Sequence, residues 1–320
     1  MKAILALDTS CYTTSVCLVS VDGEIMAHER TLLRVKEGTR GLRQSEGVFQ
    51  HVENMPGLIE KLSDAEIVGV CASMKPRPCE GSYMPVFTVG SSFGKSAASL
   101  WDVPFFETTH QEGHVMAGIR SCGWTPQGRF LCLHLSGGTT ELLSVDPTDN
   151  GFAIEITGAG ADLHAGQLID RVGIILGYPF PAGRYMDDAA LKYADSERDI
   201  PLIKTTLDGS DIHLSGAEAG ARRLIDKGAT REAVAAAVLD ALTRMVDKWV
   251  WRAVQKTGCY EVLLAGGVSA SAYMRRYLPT RLNKRSREIK VYFAKPEWST
   301  DNAMGVAHLG LLQYLGDGRK

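Results

Sequence analysis

One short pattern is written twice in this chain. Leu5-Ala6-Leu7-Asp8-Thr9-Ser10 returns as Leu133-His134-Leu135-Ser136-Gly137-Gly138. Each copy is an apolar run of strand length, then a turn of small polar residues, then a second strand: Ser15 to Ser20 after the first, Glu141 to Val145 after the second. A repeated strand–turn–strand start marks the openings of two similar domains. The boundary falls near Cys122 to Gln127, and 320 residues suffice for two domains of ordinary size.

Between these landmarks strands alternate with helices. Asp22-Gly23 turns the chain into a third strand, Ile25 to Leu32. Gln44 to Leu62 reads as a helix that Pro56 kinks or divides. A strand at Ile67 to Ala72, a helix at Ser91 to Leu100 and a strand at Pro104 to Glu107 complete the first half. The second half has helices at Ala165 to Leu176, Met186 to Tyr193, Gly216 to Asp226 and Arg231 to Lys256. Strands at Val262 to Ala265 and Ile289 to Phe293 follow, the first leading into a helix that ends near Tyr277, and a last helix covers Ser299 to Leu315. This is an α/β fold with mixed sheets. Gly316 to Lys320 reads as a loose tail.

Composition narrows the function classes. Apolar residues make up 45% and charged residues 22%, an ordinary globular balance. The net charge of −2 gives no overall basic field for nucleic acid. Seven cysteines, an odd number without Cys-x-x-Cys, argue for a reducing cytosol and against a disulfide scaffold or thiolate zinc site. No apolar run is long enough to span a bilayer, so the expected location is cytoplasmic.

Two features carry chemistry. His110 and His114 lie four residues apart in His110-Gln111-Glu112-Gly113-His114, which puts both rings on one face of a helix. Two imidazoles so placed bind one transition metal if a third ligand arrives from elsewhere, and otherwise bind nothing. The zinc-protease motif is absent, because Gln111 stands where that motif has Glu. The second feature is a set of small-residue turns. Ser136-Gly137-Gly138-Thr139-Thr140 and Gly266-Gly267-Val268-Ser269-Ala270 both follow strands, where bare backbone can approach phosphate, or else make plain turns. The second of these leads into a helix N-terminus, which favours anions. Gly90 to Ser96 imitates a P-loop with three residues between the glycines where four are required, and reads as a helix start with Lys95 solvated. Asp8, Glu141, Asp162, Asp170 and Asp301 are carboxylates near the turns. Asp8 and Asp170 could hold magnesium-bound water or sugar hydroxyls, and Asp301 reads as a helix cap.

Taken together, these runs resemble the universal tRNA threonylcarbamoyladenosine transferase family, once labelled O-sialoglycoprotein endopeptidase. The matching pieces are Asp8-Thr9-Ser10-Cys11, His110 to His114, Leu135 to Gly138, Ala165-Gly166 with Asp170, Pro181-Ala182-Gly183, Leu214-Ser215-Gly216, Ala265 to Ala270, and Pro296-Glu297 with Thr300-Asp301-Asn302. They fall in order over nearly the whole chain. The resemblance implies an actin-like fold of the sugar-kinase and heat-shock ATPase type, two RNase-H-like domains around a nucleotide cleft. The first would take residues 1–125 and 300–320, the second 126–299. It implies one divalent transition metal, iron or zinc, on His110, His114 and Asp301. It implies an adenine nucleotide or acyl-adenylate, with or without magnesium, on Ser136, Gly137, Gly138, Thr139, Asp170, Gly183, Gly266, Gly267 and Ser271. The implied reaction moves threonylcarbamoyl from its adenylate to an adenosine beside the tRNA anticodon. The implied partners are tRNA, a shorter actin-like homologue and an accessory ATPase. No catalytic residue is assigned.

The departures point to a divergent paralogue. The family's acidic pair after the first turn is Tyr12-Thr13 here, its His after Ser-Gly-Gly is Thr139, and its Asn after Gly-Gly-Val-Ser-Ala is Ser271. Its Lys after Leu-Ser-Gly is replaced around Ala217-Glu218, and its glycine-rich loop is replaced by Lys75 to Gly81. His164 stands where the family has a small residue, as a further candidate metal or phosphate ligand. Tyr12 and Thr13 do not ionise usefully near neutral pH, so they supply no general base. Transfer to tRNA, transfer to another acceptor, and a non-catalytic nucleotide-binding partner are therefore all open expectations.

Overall fold

In the computed structural model, residues 1–10, 12–35, 42–196 and 198–317 are described. Cys11 of the first motif and the last three residues of the tail lie outside them. The chain forms two compact units. One comprises Met1–Thr125, Pro147–Ala153 and Thr300–Lys320, and the other Pro126–Asp146 and Ile154–Ser299.

The first unit is built on β1 (Lys2–Thr9), β2 (Thr13–Ser20), β3 (Ile25–Leu32), β4 (Glu66–Ser73) and β5 (Phe105–Thr108), in the order β3-β2-β1-β4-β5. β1 and β2 are antiparallel with Leu7 opposite Val16, and β4 and β5 run parallel to β1, with Leu5 opposite Val70 and Val70 opposite Phe105. β1 is buried from Ala3 to Thr9, as expected of a strand covered on both faces. Four helices pack here: α1 (Gln44–Ile59), α2 (Phe87–Trp101), α3 (His110–Cys122) and, from the far end of the chain, α10 (Met304–Gly316). α10 lies on α3 at a point where Gly305 has no room for a side chain. A β-carbon there would stand 1.9 Å from the Gly113 carbonyl oxygen. This close approach brings the segment before α10 to the start of α3.

The second unit repeats the plan. β6 (Phe130–Leu135), β7 (Thr140–Thr148), β8 (Gly151–Ala159), β11 (Glu261–Ala265) and β12 (Lys290–Phe293) take the order β12-β11-β6-β7-β8. Again the first strand has an antiparallel neighbour and a parallel one: β6 pairs β7 antiparallel and β11 parallel. The helices are α4 (Ala165–Ile175), α5 (Gly183–Ala194), α6 (Ser215–Asp226), α7 (Arg231–Thr257), α8 (Ala272–Arg285) and the single turn α9 (Pro296–Ser299). α7 is the spine of the core. Its Val234 to Leu239 run is buried, and Trp249, 1% exposed, donates its indole N–H to the Ser210 carbonyl.

Three readings of the sequence are corrected. Pro56 lies inside one continuous helix, α1, within its last turn. The last helix is not continuous from Ser299. It breaks into α9 and α10, and the residues between them, including Asp301, are not helical. Strand β8 and the hairpin β9 (Thr206–Asp208) and β10 (Asp211–His213) are not legible in the sequence. β8 is an edge strand whose Phe152, Ile154 and Ile156 are at most half-buried, so it lacks a sharp in–out alternation.

Candidate metal centre and small-residue turns

α3 begins with a complete set of caps. Thr109 accepts from the Glu112 amide at 3.3 Å, and Glu112 accepts from the Thr109 amide at 3.0 Å, a reciprocal capping box. The His110 and Gln111 amides donate to the Lys75 and Pro76 carbonyls, each at 3.0 Å. Glu112 also accepts from the hydroxyls of Thr108 and Thr109, so its carboxylate is occupied as a cap and stands apart from the histidines' chemistry. The loop at Lys75 to Gly81 thus serves locally by closing the end of the helix that carries the histidine pair.

The two rings stand 4.5 Å apart, edge to face. The break between α9 and α10 delivers Asp301 to them. His110 Nε2 and His114 Nε2 are 3.1 Å apart, and Asp301 Oδ1 lies 3.5 Å from the first and 3.4 Å from the second. The cap reading of Asp301 is therefore wrong; the N-cap position of α10 is Ala303, and just before it Asn302 Oδ1 accepts from the Met304 amide at 3.1 Å. Ligands bound at about 2.0–2.1 Å around one tetrahedral ion stand roughly 3.3 Å from one another. The triangle of His110, His114 and Asp301 has that size, and its donor set of two imidazoles and one carboxylate suits a divalent transition metal.

A second layer orients two of the three, His110 and Asp301. Asp8, fully buried, receives His110 Nδ1 at 3.0 Å and the Ser73 hydroxyl. A carboxylate only accepts, so Nδ1 carries a proton, and a bound metal would meet the Nε2 side of the ring, which faces His114 and Asp301. The sequence suggests Asp8 as a holder of water or sugar hydroxyls; its place is instead behind His110. Ser10 donates to Asp301 Oδ2 at 2.8 Å, which leaves Oδ1 as the oxygen facing the imidazoles. Burial alone would lower the pKa of His110, but Asp8 and Asp301 outweigh it and hold the imidazole well above its ordinary value. Burial would raise Asp301, and the two histidines hold it well below the usual carboxylate range instead.

The turns of the second unit are less uniform. In the first, the Ser136 hydroxyl accepts from the Gly138 and Thr139 amides at 3.3 and 3.0 Å, so those two N–H groups are already engaged. At Gly137, Gly138 and Gly183 a β-carbon would meet nothing within 4 Å. Bare backbone there faces open space, and neither packing nor a left-handed conformation requires glycine. Asp170, raised by burial against a 2.7 Å hydrogen bond from the Ala182 amide, ties α4 to the residue before Gly183. Gly266 has φ +88°, and a β-carbon on it would stand 2.4 Å from the Leu135 carbonyl oxygen, so it joins β11 to the end of β6. Gly267 opens the 3-10 turn Gly267–Ala270, and Ser271 caps α8. The N-terminus of α8 is capped from within the chain. Asp187 of α5 already accepts from Ser271 Oγ, from the Ala272 amide at 2.7 Å and from the Tyr273 amide at 3.1 Å. Sequence spacing holds no sign of that contact. His164, offered as an extra ligand, is the N-cap residue of α4, and Asp162 caps α6 through Leu214 and Ser215.

The family model described as TsaD, tRNA N6-adenosine threonylcarbamoyltransferase, matches residues 45–308. The chain belongs to the TsaD family. Among solved structures it resembles full-length HypF in the phosphate- and nucleotide-bound form, with a TM-score of 0.61, 12% identity, and coverage of 97% of this chain and 46% of that one. It likewise resembles HypF of T. kodakarensis, with a TM-score of 0.61 and 13% identity over 98% of this chain and 48% of that one. The chain thus spans about half the length of these two. The activator of 2-hydroxyisocaproyl-CoA dehydratase from Clostridium difficile with bound ADPNP matches end to end, at a TM-score of 0.56 and 14% identity over 99% and 98% of the two chains. The fold is the actin-like one, α/β with mixed sheets in two RNase-H-like lobes.

The residues expected to differ from the family pattern lie as follows. Tyr12 is 44% exposed, and Thr13 is buried as the first residue of β2 opposite Leu32. Thr139 gives its amide to the Ser136 hydroxyl at 3.0 Å. Gln111, where a zinc protease would carry its general base, is buried.

Proposed function

We propose that this TsaD-family chain is a metal- and nucleotide-dependent acyltransferase that moves a carbamoyl-type group from an acyl-adenylate to an acceptor, with tRNA adenosine as the family's acceptor. The observation that carries the reading is the His110–His114–Asp301 triangle with its oriented second layer. When bound, a divalent metal at these atoms would supply Lewis-acid polarisation of the acyl-phosphate end. The chain's own residues prepare the site: Asp8 holds the His110 proton on Nδ1, and Ser10 occupies one oxygen of Asp301. The open backbone at Gly137, Gly138 and Gly183 supports an adenine nucleotide on the second unit, as does the nucleotide bound in one HypF structure and in the dehydratase activator. Iron and zinc both suit the donor set. No helix among the described residues is long and apolar enough to cross a membrane.

A second reading rests on Tyr12 and Thr13. Without an ionisable pair at that place, the chain uses the same donor but a different acceptor, a small molecule or a peptide. One experiment separates the two. The purified protein is analysed for metal and nucleotide, then incubated with threonylcarbamoyl-adenylate and unmodified tRNA. Modified adenosine supports the first reading. Bound metal and nucleotide with no transfer to tRNA supports the second. Absence of both metal and nucleotide overturns both.

A further inference from the structure

Behind the metal triangle lies a residue that none of the motifs includes. His51, on α1, is fully buried. Its Nε2 lies 2.8 Å from the Ser10 carbonyl oxygen, and its Nδ1 lies 2.8 Å from Thr14 Oγ1. A carbonyl only accepts, so Nε2 carries the proton and Nδ1 is the acceptor. The Thr14 hydroxyl must then donate to Nδ1, and its oxygen in turn accepts from Asn54 Nδ2 at 3.1 Å. Every polar group in this chain of contacts has one defined role. Burial lowers the pKa of His51, against smaller opposing effects of its bond to Ser10 and the charges of Asp8 and Asp301, which favours the neutral ring that this pattern requires.

The line of contacts ends at the metal triangle. Ser10, whose carbonyl His51 grips, donates its own hydroxyl to Asp301 Oδ2 at 2.8 Å. Ser10 directly follows β1 and Thr14 lies at the start of β2, so His51 bonds to the chain on both sides of the connection between these strands. We infer that His51 is a positioning residue for the metal centre: it fixes the Ser10 backbone, so that the Ser10 hydroxyl holds Asp301 with one oxygen toward His110 and His114. The inference rests on the metal-centre reading above. His51 touches none of the three ligands, so it acts through Ser10 alone.

The test uses the full chain and Co(II) as probe. Affinity is measured by competition with a chromophoric chelator, geometry by the visible absorption of the bound ion, and folding by thermal denaturation without metal. His51→Leu should lower Co(II) affinity about tenfold to a hundredfold, the range for an orienting residue outside the ligand set, and should change the absorption band. Ser10→Ala should do the same. The double variant should lose no more than either alone, because both act through one hydroxyl. His51→Gln, which keeps a donor and an acceptor, should restore most of the affinity. If His51→Leu does not fold, Thr14→Val frees the ring without emptying its place, and it should weaken affinity in the same direction. A purely structural role predicts the opposite pattern: lower thermal stability with wild-type affinity and spectrum, which overturns the inference and leaves the metal centre standing. A wild-type protein that binds no Co(II), or a His110→Ala variant that binds it equally well, removes the metal centre and the positioning role together.

Discussion

Asp8 and Asp301 show how little a residue's type says about its role until its neighbours are known. Both are carboxylates beside turns, and in sequence both have ordinary uses. In the fold one orients an imidazole and the other faces two. This division predicts different losses. His110→Ala, His114→Ala and Asp301→Ala each remove one of the proposed ligands and should abolish tight metal binding, read by metal content after gel filtration. Asp8→Asn keeps the ligands but offers His110 Nδ1 an ambiguous partner, and should weaken binding about tenfold to a hundredfold. Equal loss in Asp8→Asn and His110→Ala would instead place Asp8 among the ligands. Glu112→Gln, by contrast, alters only the cap of α3 and should cost about 1 kcal/mol of stability with metal retained.

At the scale of elements, two helix ends decide what each unit can do. α10 reaches α3 because Gly305 has no β-carbon to strike the Gly113 carbonyl. Gly305→Ala should cost about 1–3 kcal/mol by overpacking, and should weaken metal binding as well, because Asp301 lies just before α10. Denaturant melts and Co(II) titration on the same preparation check both effects; lost stability with unchanged affinity would uncouple α10 from the site. In the second unit, Asp187 closes the N-terminus of α8. Asp187→Ala should cost about 0.5–2 kcal/mol, as loss of a capping carboxylate does, and should expose a helix end able to take phosphate. Orthophosphate should then stabilise the variant more than the wild type in thermal shift.

For the whole molecule, the clearest pH dependence comes from two histidines that take no part in the metal triangle. Burial lowers His28 and His308 to about 4 each, with Arg30 and Arg120 adding to the effect. Unfolded, each returns to the ordinary value near 6.5. Between those values the unfolded chain binds protons that the folded chain refuses, so stability is full above about pH 6.5 and falls as pH drops toward 4. Each contributes a loss on the order of 3 kcal/mol once both states are protonated. Denaturant midpoints at pH 7, 6, 5 and 4 should therefore decline, and His308→Gln should flatten the decline. A midpoint that rises on acidification would contradict the burial of both rings.

What the sequence by itself determined was local or repeated. The duplicated strand–turn–strand start, the apolar runs of β1 and β6, the four-residue spacing of His110 and His114 and the glycines of the small turns are all carried by neighbours in the chain, and their physics is short-range. The resemblance reached Asp301, yet spacing alone makes that residue a cap, since nothing within a few residues of it indicates that the helix breaks there. Tertiary structure decided the rest. Asp8 finds His110, Ser10 finds Asp301, His51 finds Ser10 and Asp187 finds α8 across separations of 41 to 291 residues. Such contacts leave no periodic trace, because each depends on one donor meeting one acceptor after the sheets have formed. The pair of histidines was legible as a pair; its third partner and the groups that aim it came from how the segment before α10, the end of β1 and Ser10 meet the start of α3.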